Sequence, residues 1–284
     1  MAPFRMLSLA LGSFLLSGAL AAQTTPKRTG PPPEIARTMA YVQKSLAAQT
    51  GGAPINDVTL VGAITLAGGQ NSGAGAITLS ATVDGKSQVS MNLPSGRQSE
   101  VRNYSRFSHA ATWTGPDGAA HDFSPLNTLG PHPAWFFPAF VMQSGFNSTQ
   151  YFAGDLGPAT WDGASVEHLS IFRRPRSDRA AGSFVNPFLK QVSQYEIYLN
   201  PSTLLPEAIT FNVHLDSNHP AEFLVPAGTP TGDFLEEIRY LDYREVQGRP
   251  VAFHIQVLFN GALSADIQLA SANFDREAAT AAAQ

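Results

Sequence analysis

Few residues in this chain are placed to do chemistry. The most ligand-like set is His214-x-Asp216-x-x-His219, two imidazoles and a carboxylate of the kind that can hold zinc. Its spacing matches no defined metal motif, and it falls where an alternating stretch meets a Pro-rich one. Loop residues are the plainer reading, and no metal is assigned. His109, His121 and His132 are the densest histidine group but share no ligand spacing. Asp155, Asp162 and Glu167 could supply acid or base carboxylates, yet nothing fixes a working separation. Glu167 and His168 are adjacent, so on a strand they point to opposite faces. Ser144, in Gln143-Ser144-Gly145, lacks the first glycine of a nucleophile elbow. Phosphate-binding and dinucleotide-binding glycine patterns are missing, as is a zinc-protease helix motif. With no cysteine, disulfides, thiolate metal sites and thiol nucleophiles are excluded. The sequence therefore points away from an enzyme and assigns no catalytic residue and no cofactor.

Two stretches could bind rather than react. Trp135-Phe136-Phe137-Pro138-Ala139-Phe140-Val141-Met142 is aromatic and interrupted by proline. It could line or lid an apolar cavity, or serve as plain core. Trp135, Phe136, Phe137, Phe140 and Met142 are its cavity candidates. Phe211 and Phe253, on apolar faces of predicted strands, join them. The second stretch is basic, with Arg173, Arg174, Arg176 and Arg179 offering contacts to anionic headgroups or a partner. A solvated loop balanced by Asp178 is the simpler account of it.

The elements that must position these residues are mostly strands. Glycine (24) and proline (21) are abundant, and only 14% of residues are charged, against roughly 25% in an ordinary soluble domain. A net charge of −4 gives no reason to expect nucleic acid as a partner. Ile35, Met39, Val42 and Leu46 recur at helical spacing and predict one helix, stopped at Gly51-Gly52. From Val58 onward the period is two. Val58, Leu60, Ile64 and Leu66 predict one strand; Ile77, Leu79, Ala81 and Val83 a second; Val89, Met91 and Leu93 a third. Residues 101–114 have room for one or two more. A short helix is expected around 133–142 and a strand over 164–172. Tyr195, Ile197 and Leu199 begin a clear series. It continues through Ile209–Leu215, residues 238–246, Val251–Phe259 and Leu263–Leu269. Asp84-Gly85 and Asn260-Gly261 are hairpin turns. Strands that follow one another without helices predict an antiparallel meander. With one apolar face each, about ten of them should curl. The expected class is mainly β (α+β), with an N-terminal helix and short helical plug segments.

The N-terminus reads as an export signal: Arg5, an apolar run over Met6–Leu16, and the small-residue pattern Ala19-Leu20-Ala21, with Ala22 following. The predicted organisation is a signal peptide over 1–22, a Pro-rich linker over 23–33, one domain over 34–274 and a flexible tail over 275–284. No later apolar run is long enough to span a membrane. A periplasmic or secreted location follows.

Two local patterns carry a family likeness. One is the hairpin Tyr195-Glu196-Ile197-Tyr198-Leu199-Asn200-Pro201-Ser202-Thr203-Leu204-Leu205-Pro206. The other is Tyr240-Leu241-Asp242-Tyr243-Arg244, followed by Gly248 and Pro250-Val251-Ala252-Phe253. Together with the export signal and the single helix ahead of the strands, they resemble the periplasmic lipoprotein-carrier (LolA/LolB-like) half-barrel superfamily. That resemblance implies a concave apolar face holding a hydrophobic ligand such as lipid or lipoprotein acyl chains. The rival reading is an envelope protein-interaction or accessory module whose hollow is filled by its own side chains.

Overall fold

The computed structural model describes residues 33–67, 72–104, 109–129, 134–146, 151–173, 187–219 and 221–275. The expected signal peptide, nearly all of the linker, His132, Arg174, Arg176, Arg179 and the tail beyond Asp275 lie outside the described residues.

Helix α1 (Pro33–Thr50) precedes β1 (Asp57–Leu66), β2 (Gly73–Thr82), β3 (Lys86–Leu93), β4 (Gly96–Tyr104), β5 (His109–Thr114) and β6 (Ala120–Asp122). A 3-10 turn (Asn127–Leu129) and α2 (Pro138–Phe146) interrupt the strands. Then come β7 (Tyr151–Trp161), β8 (Ala164–Arg173), α3 (Pro187–Ser193), β9 (Tyr195–Leu199), β10 (Pro206–Leu215), β11 (Gly232–Val246), β12 (Arg249–Phe259) and β13 (Ala262–Phe274). Among the described residues thirteen strands lie in one antiparallel sheet, in the order β6-β5-β4-β3-β2-β1-β13-β12-β11-β10-β9-β8-β7. Its edges, β6 and β7, do not pair with each other. The chain is mainly β, an open curved sheet with an N-terminal helix and a short helical plug, as the alternation predicts.

Turn chemistry sets the register. Asp162-Gly163, Gln247-Gly248 and Asn260-Gly261 each place two successive residues at positive φ. This is the turn whose twist matches that of paired strands. Period two then sorts the faces. Val58, Leu60, Ile64, Ile77, Leu79, Val89, Met91, Ile197, Ile209, Ile238, Ile255 and Ile267 are all buried. On β12 the odd-numbered set Val251–Phe259 is buried, as alternation requires. Ala252, expected outside, is buried too, and so is Leu258. Leu258 sits at a bulge where β12 and β13 shift register. That shift also turns Leu263 outward, against expectation, and Val83 is exposed because it lies in the turn before β3 rather than on β2.

Helix α1 corrects the expected apolar stripe. Val42 is buried and Leu46 packs against the core, but the rest of the buried face is Thr38, Ser45 and Gln49. Beside that apolar packing, buried polar residues meet a sulfur. Gln49 Nε2 donates to Ser45 Oγ (3.1 Å) and lies 2.9 Å from Met142 Sδ, while Ser45 Oγ lies 3.4 Å from the same sulfur. Arg37 pairs with the buried carboxylate of Asp155 on β7, tying the helix to that edge.

Candidate ligand site

The aromatic segment lies inside the curl. Ala134, Trp135, Phe136, Phe137, Ala139, Phe140, Val141 and Met142 are all buried, with Trp135 only 4% exposed. Prolines keep it from forming one long helix; a turn at 134–137 leads into α2. Its rings pack edge to face, Trp135 on Phe136 at 5.5 Å and Phe137 on Phe140 at 5.1 Å. Phe137 also meets Phe274 of β13 at 5.8 Å.

Trp135 shows how strongly the sheet bends. Its Nε1 donates to Glu100 Oε1 on β4 (3.4 Å), and its carbonyl accepts from Tyr240 Oη on β11 (2.5 Å). Five strands separate β4 from β11 in the sheet order. On a flat sheet that is about 29 Å at the usual strand spacing. One residue bridges them because the sheet wraps around it.

The wall that receives the tryptophan is polar, which the residue pattern barely signals. Along β4 the buried inward residues are Gln98, Glu100 and Tyr104, whereas Val101 is 45% exposed. Gln98 stands opposite Met91 and Glu100 opposite Val89, so the apolar inner face of β3 becomes polar one strand later. Arg102 grips Glu100 with two parallel hydrogen bonds, Nε to Oε1 at 2.9 Å and Nη2 to Oε2 at 3.1 Å, the strong planar form of the pair.

Two further carboxylates face this pair. Glu236 on β11 is pushed up to about 8, chiefly by burial; Arg102 pulls it down, and Glu100 and Glu222 push it up. Glu222 is raised to about 7 by burial, against the pull of Asn127, Arg102 and the Ser124 backbone. Glu222 Oε1 accepts from Ser124 N (3.0 Å) and from the Asn127 side chain. Asn127 is itself locked to β10, its Oδ1 accepting from His214 N (2.7 Å) and its Nδ2 donating to His214 O (3.0 Å). Phe223 and Leu224 follow Glu222 into the core. Two large apolar residues inside a Pro- and Gly-rich stretch were the available signal for this second insertion.

Beside this insertion is a cavity of about 130 Å³. It is lined by Leu66, Ala67, Gln98, Trp113, Ser264 and residues 221–227. Gln98 Nε2 and Trp113 Nε1 are buried and have no hydrogen-bond partner among the described residues.

The other sequence candidates scatter. Phe211 is half-buried and stands opposite Glu236 on the inner face. Phe253 is buried near the other end of β12, beneath the Arg244 guanidinium at 4.7 Å. Of the basic stretch, the described Arg173 lies 3.1 Å from His109 Nδ1, and its backbone N–H donates to Ser193 Oγ. His214 pairs with Asp233 (2.6 Å) and His219 with Asp216 (3.1 Å), so the expected loop triad is divided between two partners. Asp155 pairs with Arg37 and Asp162 with Arg239, separate ion pairs rather than one acid–base site. No cluster of three or more His, Cys, Asp or Glu suited to a metal exists among the described residues.

No family model matches the sequence, and no curated protein matches it. Solved structures do. A domain assigned to outer membrane lipoprotein sorting from Vibrio parahaemolyticus superposes with TM-score 0.53 at 12% identity, covering 85% of this chain and 94% of its own. A DUF1329 family protein from Desulfovibrio piger superposes with TM-score 0.51 at 9% identity, covering 86% and 94%. A LolA superfamily protein from Nitrosomonas europaea gives 0.48 at 12% identity, covering 83% and 92%. The chain therefore shares the fold of the Vibrio and Desulfovibrio structures, in line with the half-barrel resemblance read from the sequence.

Proposed function

We propose that this protein binds an apolar ligand of the acyl-chain class in the concave face of the sheet, and that segment 134–142 occupies that place when no ligand is bound. The reading includes export to the periplasm or beyond and no catalytic step. The fold likeness supports it, since the similar Vibrio domain is assigned to lipoprotein sorting. No helix among the described residues is long and apolar enough to cross a membrane.

The observation that carries the proposal is the burial of the plug against apolar strand faces, with Trp135 hydrogen-bonded to both β4 and β11. A segment outside the sheet ladder can leave without breaking any strand pairing. Its departure exposes Trp135, Phe136, Phe137, Phe140, Val141 and Met142, at about 1.5–3 kcal/mol for each large apolar side chain, or roughly 9–18 kcal/mol in all. A ligand replaces that contact at about 0.8 kcal/mol per buried methylene, so about 11 to 22 methylenes offset the loss. Long acyl chains meet this requirement and short ones do not.

The test is a titration of delipidated protein with acyl probes of increasing length, followed by tryptophan fluorescence. Micromolar or tighter binding should set in at about the chain length estimated above. An absence of binding at every length refutes the reading. One observation favours the protein-interaction alternative: the plug residues are buried against the sheet, and the cavity beside Glu222, about 130 Å³, is below the roughly 300 Å³ of an open ligand pocket. If the plug never leaves, the filled hollow is simply core.

A further inference from the structure

We infer that the cavity beside Glu222 is a head-group subsite for an uncharged carbonyl, an ester or amide, and that Gln98 and Trp113 are its hydrogen-bond donors. The inference rests on the acyl-binding reading above and adds which end group that ligand carries.

Two observations converge on it. First, Gln98 and Trp113 both line the cavity, and Gln98 Nε2 and Trp113 Nε1 are buried without a partner among the described residues. Gln98 is 5% exposed. Buried donors are almost always paired, and one left unpaired marks a place that another group completes. An indole N–H can only donate, so the completing group must accept. Trp113 is held in place by its stack on His121, with ring centroids 4.3 Å apart. It is also paired across the ladder with Glu100.

Second, the local charge selects among acceptors. Glu222 lines the same cavity, and Glu100 and Glu236 belong to the same cluster. The cation that faces all three is Arg102, already engaged by both oxygens of Glu100. A free carboxylate or phosphate entering here would add negative charge with no cation left, among the described residues, to pair it. A protonated amine would be drawn by the carboxylates but would leave both donors unsatisfied. A neutral carbonyl accepts from the two donors and adds no charge. The remaining lining, from Leu66, Ala67, Phe223 and Leu224 among others, is apolar and suits the carbons next to it.

Three probes of equal chain length test this in the full mature chain: methyl palmitate, palmitate and hexadecylamine, each competing with a fluorescent acyl probe at pH 8. The ester should bind tightest. Gln98→Leu and Trp113→Phe should each weaken the ester by about 3- to 10-fold, the value of one neutral hydrogen bond. Palmitate binding should change little. Both substitutions remove an unpaired donor, so neither orphans a partner, and the ranking in the unaltered protein needs no variant at all. If the three probes bind within about twofold of one another, if the amine or acid binds tightest, or if folded variants keep the ester affinity, the subsite is overturned while acyl binding stands. If none of the three binds, both readings fall.

Discussion

Replacing Glu236 by glutamine should flatten part of an unusual pH dependence. Glu236 and Glu222 are held protonated in the folded state, up to about 8 and about 7, against an ordinary value of 4.5. Between pH 5.5 and 6.5 the unfolded chain has released both protons and the folded chain has released neither. Folding then takes up protons, so stability must fall as pH rises. Each such group contributes a slope of about 1.4 kcal/mol per pH unit, so the two together give about 2.7 kcal/mol per unit. The fall tapers as pH passes 7 and then 8, and stops above about 9. The carboxylates held low, Asp84, Asp216, Asp242 and Asp266, titrate well below this window and do not oppose it. Glu236→Gln keeps the shape and removes the proton, so the slope should halve to about 1.4 kcal/mol per unit. Urea unfolding at pH 5.5, 6.5, 7.5 and 9, followed by tryptophan fluorescence, measures it. A stability that is flat or rising from pH 5.5 to 6.5, or an unchanged slope in the variant, would refute the buried-carboxylate account.

Tyr240→Phe removes the hydroxyl that donates to the Trp135 carbonyl and should cost about 1–3 kcal/mol, because a buried acceptor is left unpaired; chemical unfolding reads it, and a loss below 0.5 kcal/mol by rough estimate would mean the tie is not formed. Phe253→Ala should cost about 3–5 kcal/mol as a core truncation, and a loss under about 0.5 kcal/mol would overturn the face assigned to β12. Amino-terminal sequencing of exported material should find cleavage between Ala21 and Gln23, with Ala22 or Gln23 as the first residue, from the charge, apolar run and small-residue pattern; a mature chain beginning at Met1 would dismiss the export signal.

Much of the fold was legible because period two and positive-φ turn residues are local signals. Asp84-Gly85, Gln247-Gly248 and Asn260-Gly261 end strands where the structure ends them. The misses share a physical cause. Strand β7 contains Pro158 and three residues that break alternation, Gly154, Asp155 and Gly157. An edge strand with a bulge between Asp155 and Gly157 tolerates them. The plug was recognisable as bulky and apolar but its burial could not be told from cavity lining. The polar inner face of β4 was invisible because Gln98, Glu100 and Arg102 look like solvent-facing residues. Only contact with β11, Trp135 and the 221–225 insertion, all distant in sequence, makes them interior.

The open sheet also bears on how copies of the chain meet. A half-barrel leaves two rims whose backbone groups could extend the sheet into a neighbouring molecule. One rim, β6, is three residues long, exposed along its length, and ends on Asp122. The other, β7, is longer but broken by its bulge and by Pro158, which has no N–H to offer. Neither presents a flat, uninterrupted run for another strand. Among the described residues, the sheet can therefore stay open without offering its edges as a template for the next molecule.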